Sequence, residues 1–215
     1  MNKNDIFSRL AAYLLGLCCL ALGTVLSVRA GLGVTCAAAL GYVLTLGTPL
    51  SMGTWTVVLF ALYILAQLAL APARGQRLRV LGQLPFSLLL GGVTDTCLAL
   101  TGGMRAPGPM GAAFLLVFSV FLTAAGVVCC VRADFLLTAP DGLVLALSHR
   151  FGRKLEHVKS GFDLASVGLA LAAGPLLTGR VQGVGPGTVL SALLVGPLVG
   201  LLQRLFARRR RQRPL

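Results

Sequence analysis

The sequence predicts an all-α membrane protein of six transmembrane helices, arranged as two inverted three-helix repeats, each with a short broken or re-entrant helix. Three observations carry that expectation. Hydrophobic residues make up 56% of the 215 residues and charged residues 12%, with a mean hydropathy of +0.87. That charged share is about half of what a globular chain carries. A soluble domain of this length cannot hide so much apolar surface, and a disordered chain does not hold it. Uncharged segments of bilayer length recur along the chain, and the basic residues fall in short runs between them.

The first segment, Leu10 to Val28, is uncharged and long enough to cross the hydrocarbon core. Lys3 and Arg9 precede it, as they would a signal peptide, but the apolar run is too long and Val28-Arg29-Ala30 is a poor cleavage site. Gly53 to Ala71 is a second span. Val80 to Leu100 is a third, interrupted by Asp95, and Met110 to Val131 a fourth. Leu164 to Thr178, extended by Ser160 to Asp163, is the fifth, and Thr188 to Gln203 the sixth. Two apolar segments are too short to fit this series. Val34 to Thr48 spans about 22 Å as helix, against a core of roughly 30 Å. Phe135 to Ser148 is similar and carries Asp141. Either reads as a short or re-entrant element rather than a span.

Charge supports that count. There are 19 Lys+Arg against 6 Asp+Glu, a net charge of +13. With six spans, fifteen basic residues fall on the cytoplasmic side: Lys3, Arg9, Arg74, Arg77, Arg79, Arg150, Arg153, Lys154, Lys159, Arg204, Arg208, Arg209, Arg210, Arg211 and Arg213. Only Arg105 and Arg180 remain outside, Arg29 and Arg132 fall at span ends, and both termini are cytoplasmic. If both short segments crossed, the division would be thirteen against four, so the positive-inside rule favours six. This pattern is membrane topology rather than a nucleic-acid footprint. The expected location is the plasma membrane.

The chain also reads as two copies of one plan. Gly23 to Ala30 (GTVLSVRA) matches Gly126 to Ala133 (GVVCCVRA), 103 residues later. Thr35 then matches Thr138, Leu40 matches Leu143, and Leu44 matches Leu147. The single membrane domain, 1–215, divides into repeats at about 8–104 and 110–206 and a basic cytoplasmic tail at 207–215. Three spans per half invert the second copy in the bilayer, a plan common among secondary transporters.

The candidate solute site follows from this repeat. Arg29, Gly31, Gly33 and Thr35 form one turn, and Arg132, Thr138, Pro140 and Gly142 the other. An Arg beside a helix N-terminus makes a positive pocket suited to a carboxylate or phosphate. Two such pockets facing each other near the midplane would bind an anionic or zwitterionic solute. The competing reading has both arginines snorkelling to opposite interfaces or pairing with an internal Asp. Asp95, Asp134 and Asp141 are candidate coupling acids. Each has a structural alternative: Asp95 paired with Arg29 or reaching water, Asp134 neutralising Arg132, and Asp141 completing a capping box with Thr138. Ser160 and Asp163 read as a second capping box at the start of the fifth helix. Trp55 reads as an interfacial anchor, and His149 and His157 as solvated surface.

Several chemistries are disfavoured. The six cysteines sit in apolar stretches, with no CxxC and no neighbouring His, so neither a disulfide framework nor a metal site is expected. Gly183 to Thr188 lacks the Lys of a phosphate loop. No HExxH or GxSxG occurs, which points away from an enzyme, and no cofactor is expected.

The Arg-Ala-Gly-Leu-Gly turn at Arg29 to Gly33, the Pro-Asp-Gly-Leu segment at Pro140 to Leu143, and the turn Gly183 to Thr188 before Gly196-Pro197 resemble the YczE/YyaS/YitT family of bacterial membrane proteins. The resemblance runs along nearly the whole chain and departs from the family's pattern at Val34-Thr35-Cys36. It implies a small multispanning plasma-membrane protein, in a family many of whose members are described as transporters, and carries over no substrate and no functional residue. The expected partners are the lipid bilayer and a small solute, with a homo-oligomer left open. Two rival functions remain: the substrate-binding subunit of an energy-coupling uptake complex, and a non-transporting membrane scaffold or regulator acting through the Arg208–Arg213 tail.

Overall fold

A computed structural model describes residues 3–70, 74–104 and 106–211, with side chains over 7–70, 75–104 and 106–205. Arg105, the side chains of Lys3 and Arg74, and those of the basic tail from 206 onward lie outside the described residues. The described chain is helical, with no strand: α1 Lys3–Ala30, α2 Cys36–Gly47, α3 Met52–Leu70, α4 Arg74–Leu81, α5 Gln83–Leu100, α6 Gly108–Ala133, α7 Ala139–Phe151, α8 Leu155–Thr178 and α9 Pro186–Arg211. Six stretches are long and apolar enough to cross a membrane: Phe7–Ala30, Met52–Leu70, Gly75–Leu100, Gly108–Ala133, Leu155–Thr178 and Pro186–Leu205. The protein is an all-α, multi-pass membrane protein. As expected, α2 and α7 are too short to join that set.

The spine of the bundle is the antiparallel pair α1 and α6. Small residues set their spacing. A side chain at Gly16 would run into Gly126 O at 2.9 Å and Cys130 Sγ at 2.6 Å, and one at Gly23 into Thr123 Oγ1 at 2.5 Å. Without a hydrophobic drive between helices in lipid, such close backbone approach supplies the packing energy. Tyr13, Leu17, Ala21, Leu90, Cys130 and Ala133 make one buried cluster along this seam. Leu26, Ala30, Leu115 and Leu116 make another at its far end. The α3–α5 pair is built alike, with Gly53 against the backbone of Gly91.

Contacts between the halves exchange roles. The short helix α2 packs on α8 of the other half, and the short helix α7 packs on α3. Within each half, α1 packs on α5 and α6 on α9. The correspondence is incomplete: among the described residues α3 lies tightly on α5 whereas α8 and α9 share no extended interface, and α2 touches α9 whereas α7 and α5 share no extended interface.

Three local expectations are corrected. The capping box at Ser160 does not exist, because α8 begins at Leu155 and both Ser160 and Asp163 lie inside it. Lys154, with extended backbone (φ −60°, ψ 135°), is the residue before the first turn. The third span does not begin cleanly at Val80. It is preceded by the basic helix α4, separated from α5 by a slight break at Gly82. Thr138 does sit at the N-cap of α7, with Pro140 in the first turn, but its hydroxyl bonds no backbone N–H. It donates instead to Asp141 Oδ2 at 2.6 Å.

Candidate functional site

One end of the bundle carries Arg9, Arg77, Arg79, Arg132, Arg150, Arg153 and Lys154, and is called here the basic end. A cavity of about 1100 Å³ opens there between α3, α4, α6 and α7. Its wall is one face of α7, with Gly142, Leu145, Ala146, His149 and Arg150 at helical spacing. Opposite stand Gln76, Arg77, Arg79 and Gln83, and the linker from Asp134 to Leu137 forms the roof. Three arginines against one carboxylate make this a positive vestibule.

The cavity ends on two amides. Gln67 and Gln83 are 3% and 6% exposed. Each donates its Nε2 to the other's Oε1 at 3.1 Å, and Gln67 Nε2 also donates to Ala139 O at 3.0 Å. Three helices are joined at one point. Gly142 makes this possible, since a side chain there would meet Gln67 Oε1 at 2.5 Å and Gln83 Nε2 at 2.9 Å. Behind the amides, Tyr13, Phe60, Phe86, Ser87 and Thr138 surround a void of about 10 Å³, at the lower limit for one water.

On the opposite side of α7 lies a charged cluster. Lys159 Nζ is 3.5 Å from Asp141 Oδ1 and 3.2 Å from Asp163 Oδ1. All three side chains are between 29% and 42% exposed. The cluster ties the first turn of α7 to α8.

The sequence-derived site residues are not brought together. Arg29 and Arg132 end α1 and α6, which run antiparallel, so about 25 Å of helix separates them at 1.5 Å per residue. Arg29 donates to Leu98 O at 2.7 Å and to Thr101 Oγ1 at 3.2 Å, satisfying the carbonyl end of α5. Arg132 is exposed at the basic end. Asp95 does not pair with Arg29. Its carboxylate accepts Ser51 Oγ at 2.5 Å and Gly53 N–H at 2.7 Å, capping α3 from the neighbouring helix. Asp134 is the left-handed C-cap residue of α6 (φ 45°) and pairs with Arg9 at 3.6 Å. Thr35 is buried before α2 and makes no side-chain cap bond. Gly31 and Gly33 hold positive φ of 68° and 110°. Pro140 is buried in the first turn of α7. Trp55 Nε1 donates to Thr48 Oγ1 at 2.7 Å, at the end of a span as expected.

Of the first set, only Asp134 and Gly142 line the cavity. Gln67, Gln83, His149, Arg150 and Lys159 were not in it. Gln67 carried a usable signal, because it is the one amide in the uncharged run from Gly53 to Ala71. His149 and Arg150 carried none, because their run looks like any cytoplasmic loop. No His/Cys/Asp/Glu group able to hold a metal occurs among the described residues.

A model of a family of unknown function, DUF6198, matches residues 7–204, and the chain belongs to that family. No curated protein and no solved structure matches the chain.

Proposed function

We propose that this protein is a transporter of a small anionic or zwitterionic solute in the plasma membrane, built as an inverted repeat with its basic end in the cytoplasm. The observation that carries the reading is the open, arginine-lined cavity against α7, a helix too short to span, closed at its floor by buried amides. Irregular backbone inside a bilayer is tolerated where it lines a cavity, and half-helices beside cavities are where transporters hold solute. The exchanged contacts of α2 with α8 and of α7 with α3 support the inverted repeat, together with the GTVLSVRA–GVVCCVRA match. The charge division supports the orientation. The resemblance to the YczE/YyaS/YitT proteins agrees with a transport role.

Arg77, Arg79, Arg150 and His149 attract the solute in this reading, and the Gln67–Gln83 pair contacts it at the floor. Arg29 and Asp95 serve the fold. The test is reconstitution in liposomes loaded with a mixture of carboxylates, phosphate and amino acids, with efflux followed by mass spectrometry. At least one anion or zwitterion leaves faster than from empty liposomes, and Arg150→Gln slows it about tenfold, the effect of losing roughly 1.4 kcal/mol of attraction. If nothing leaves but a solute binds, and an ATPase module copurifies from cells, the protein is a binding subunit. If nothing leaves or binds, the scaffold reading stands in its place.

A further inference from the structure

The turn at 134–138 borders an open cavity, while its sequence counterpart at 31–35 is sealed. The seal is the loop between α8 and α9. Val34 N–H donates to Gly183 O at 3.0 Å, and Gly187 N–H donates to Leu32 O at 2.8 Å, so the two segments pair like a short antiparallel ribbon. Glycines allow it. A side chain at Gly33 would strike Thr188 Oγ1 at 2.6 Å and Gly185 N at 2.7 Å, and one at Gly185 would strike Leu32 O at 2.6 Å. Behind the ribbon, Thr35, Thr188 and Ser191 are buried, with exposures of 8%, 2% and 2%. Cys36 Sγ, on the first residue of α2, lies 3.7 Å from Thr188 O.

We propose that this sealed turn is a second, latent vestibule for the same small anion or zwitterion, and that the ribbon between Leu32–Val34 and Gly183–Gly187 is its gate. The inference rests on the transport reading. Three features support a gate rather than a fixed joint. Two main-chain bonds make the ribbon, and no ion pair crosses it among the described residues. The loop 179–185 offers only Val181 and Val184 as apolar side chains, and Val181 is exposed. And α8 and α9, the helices that carry the loop, share no extended interface among the described residues, unlike α3 and α5 at the basic end. The loop can therefore move without breaking a seam between α8 and α9, while their packing on α2 and α6 holds the helices themselves in place. Behind the closed ribbon Thr188 Oγ1 accepts Gly185 N–H at 3.2 Å and Ser191 Oγ donates to Thr188 O at 2.8 Å, and with Thr35 these polar groups become wall residues once it opens.

The native Cys36 reports on the gate directly. The full chain in liposomes is labelled with a membrane-impermeant maleimide from the far end, and the label is mapped by peptide mass spectrometry. Ala146→Cys, in the cavity wall, reports on the basic end in the same way. Gly187→Leu wedges the ribbon, because its first added carbon falls 2.9 Å from Leu32 O and 3.0 Å from Gly33 O. Gly185→Ala is a milder wedge should the leucine aggregate. The expected result is reciprocal: either wedge raises Cys36 labelling at least tenfold and lowers Ala146→Cys labelling by a similar factor. Increased Cys36 labelling with the cavity reporter unchanged overturns the proposal, since the ribbon is then only a loose loop. So does a folded wedge variant in which Cys36 stays protected. Reciprocal labelling without efflux of any anion retires the transport reading and leaves the gate. Efflux without reciprocity retires the gate alone.

Discussion

Asp95 separates structure from mechanism most sharply. A carboxylate near the end of a membrane helix is a natural suspect for coupling, yet here it accepts Ser51 Oγ at 2.5 Å and Gly53 N–H at 2.7 Å. Ser51 Oγ in turn accepts Thr54 N–H at 3.1 Å, so one carboxylate organises the whole first turn of α3. Hydrogen bonds to an ionised group contribute about 1.5–3 kcal/mol each, and a cap about 1 kcal/mol. Ser51 is exposed, which places its share at the low end. Asp95→Ala is therefore expected to cost about 3 kcal/mol. Asp95→Asn, which keeps an acceptor but loses the charge, is expected to cost about 1 kcal/mol, the difference between charged and neutral bonds. Reversible unfolding of the protein in mixed micelles, titrated with SDS, measures both. Efflux per folded molecule should be unchanged in Asp95→Asn. The reasoning fails if Asp95→Ala costs under 1 kcal/mol. It also fails if Asp95→Asn folds normally and loses efflux, for then the carboxylate works as a coupling acid.

Other substitutions test the remaining joints. Lys159→Met leaves Asp141 and Asp163 facing each other without their cation, and at their partial exposure it should cost about 1–3 kcal/mol. The same unfolding assay should show Asp163→Asn recovering much of that loss in the double variant. Gln67→Leu removes three interhelical amide bonds, worth about 0.6 kcal/mol each on average in a bilayer, and leaves the buried Gln83 amide without its partner, so stability should fall by about 2 kcal/mol and efflux should fall with it. Gly142→Ala drives a methyl into both amides and should reduce efflux with a stability loss of about 1–3 kcal/mol from overpacking. Gly16→Leu sets the same kind of clash against α6 backbone, which cannot move aside as an amide can, and should abolish folded protein on size exclusion.

The spans were legible because lipid imposes one rule: backbone groups must bond within their own segment, so length and apolarity suffice to find a crossing helix. Leu10–Val28 and Met110–Val131 are recovered inside α1 and α6 for that reason. Boundaries were less legible where amphipathic helix continues beyond the hydrocarbon. The helix α4 and the first turns of α8 are polar and basic, and nothing in their composition marks them as helix rather than loop. Capping patterns failed for a related reason. Thr138 has a carboxylate three residues on, and its hydroxyl donates to that carboxylate at 2.6 Å and accepts no backbone N–H.

The site was less legible than the fold, and the reason is handedness of position rather than residue type. Arg29 and Arg132 fall at matching places in the sequence, and that match suggested a shared pocket. They end two antiparallel helices, so some 25 Å of helix separates them. The residues that do converge come from non-equivalent positions. Gln67 lies late in α3, Gln83 early in α5 and Ala139 at the head of α7, and they meet because α7 packs across the halves onto α3. A repeat read along the chain pairs like with like. A swapped packing of half-helices pairs unlike with unlike, so the central polar contacts of such a fold are found by asking which apolar span carries an amide it does not need. In this chain that question selects Gln67 within Gly53–Ala71, and the cavity above it follows.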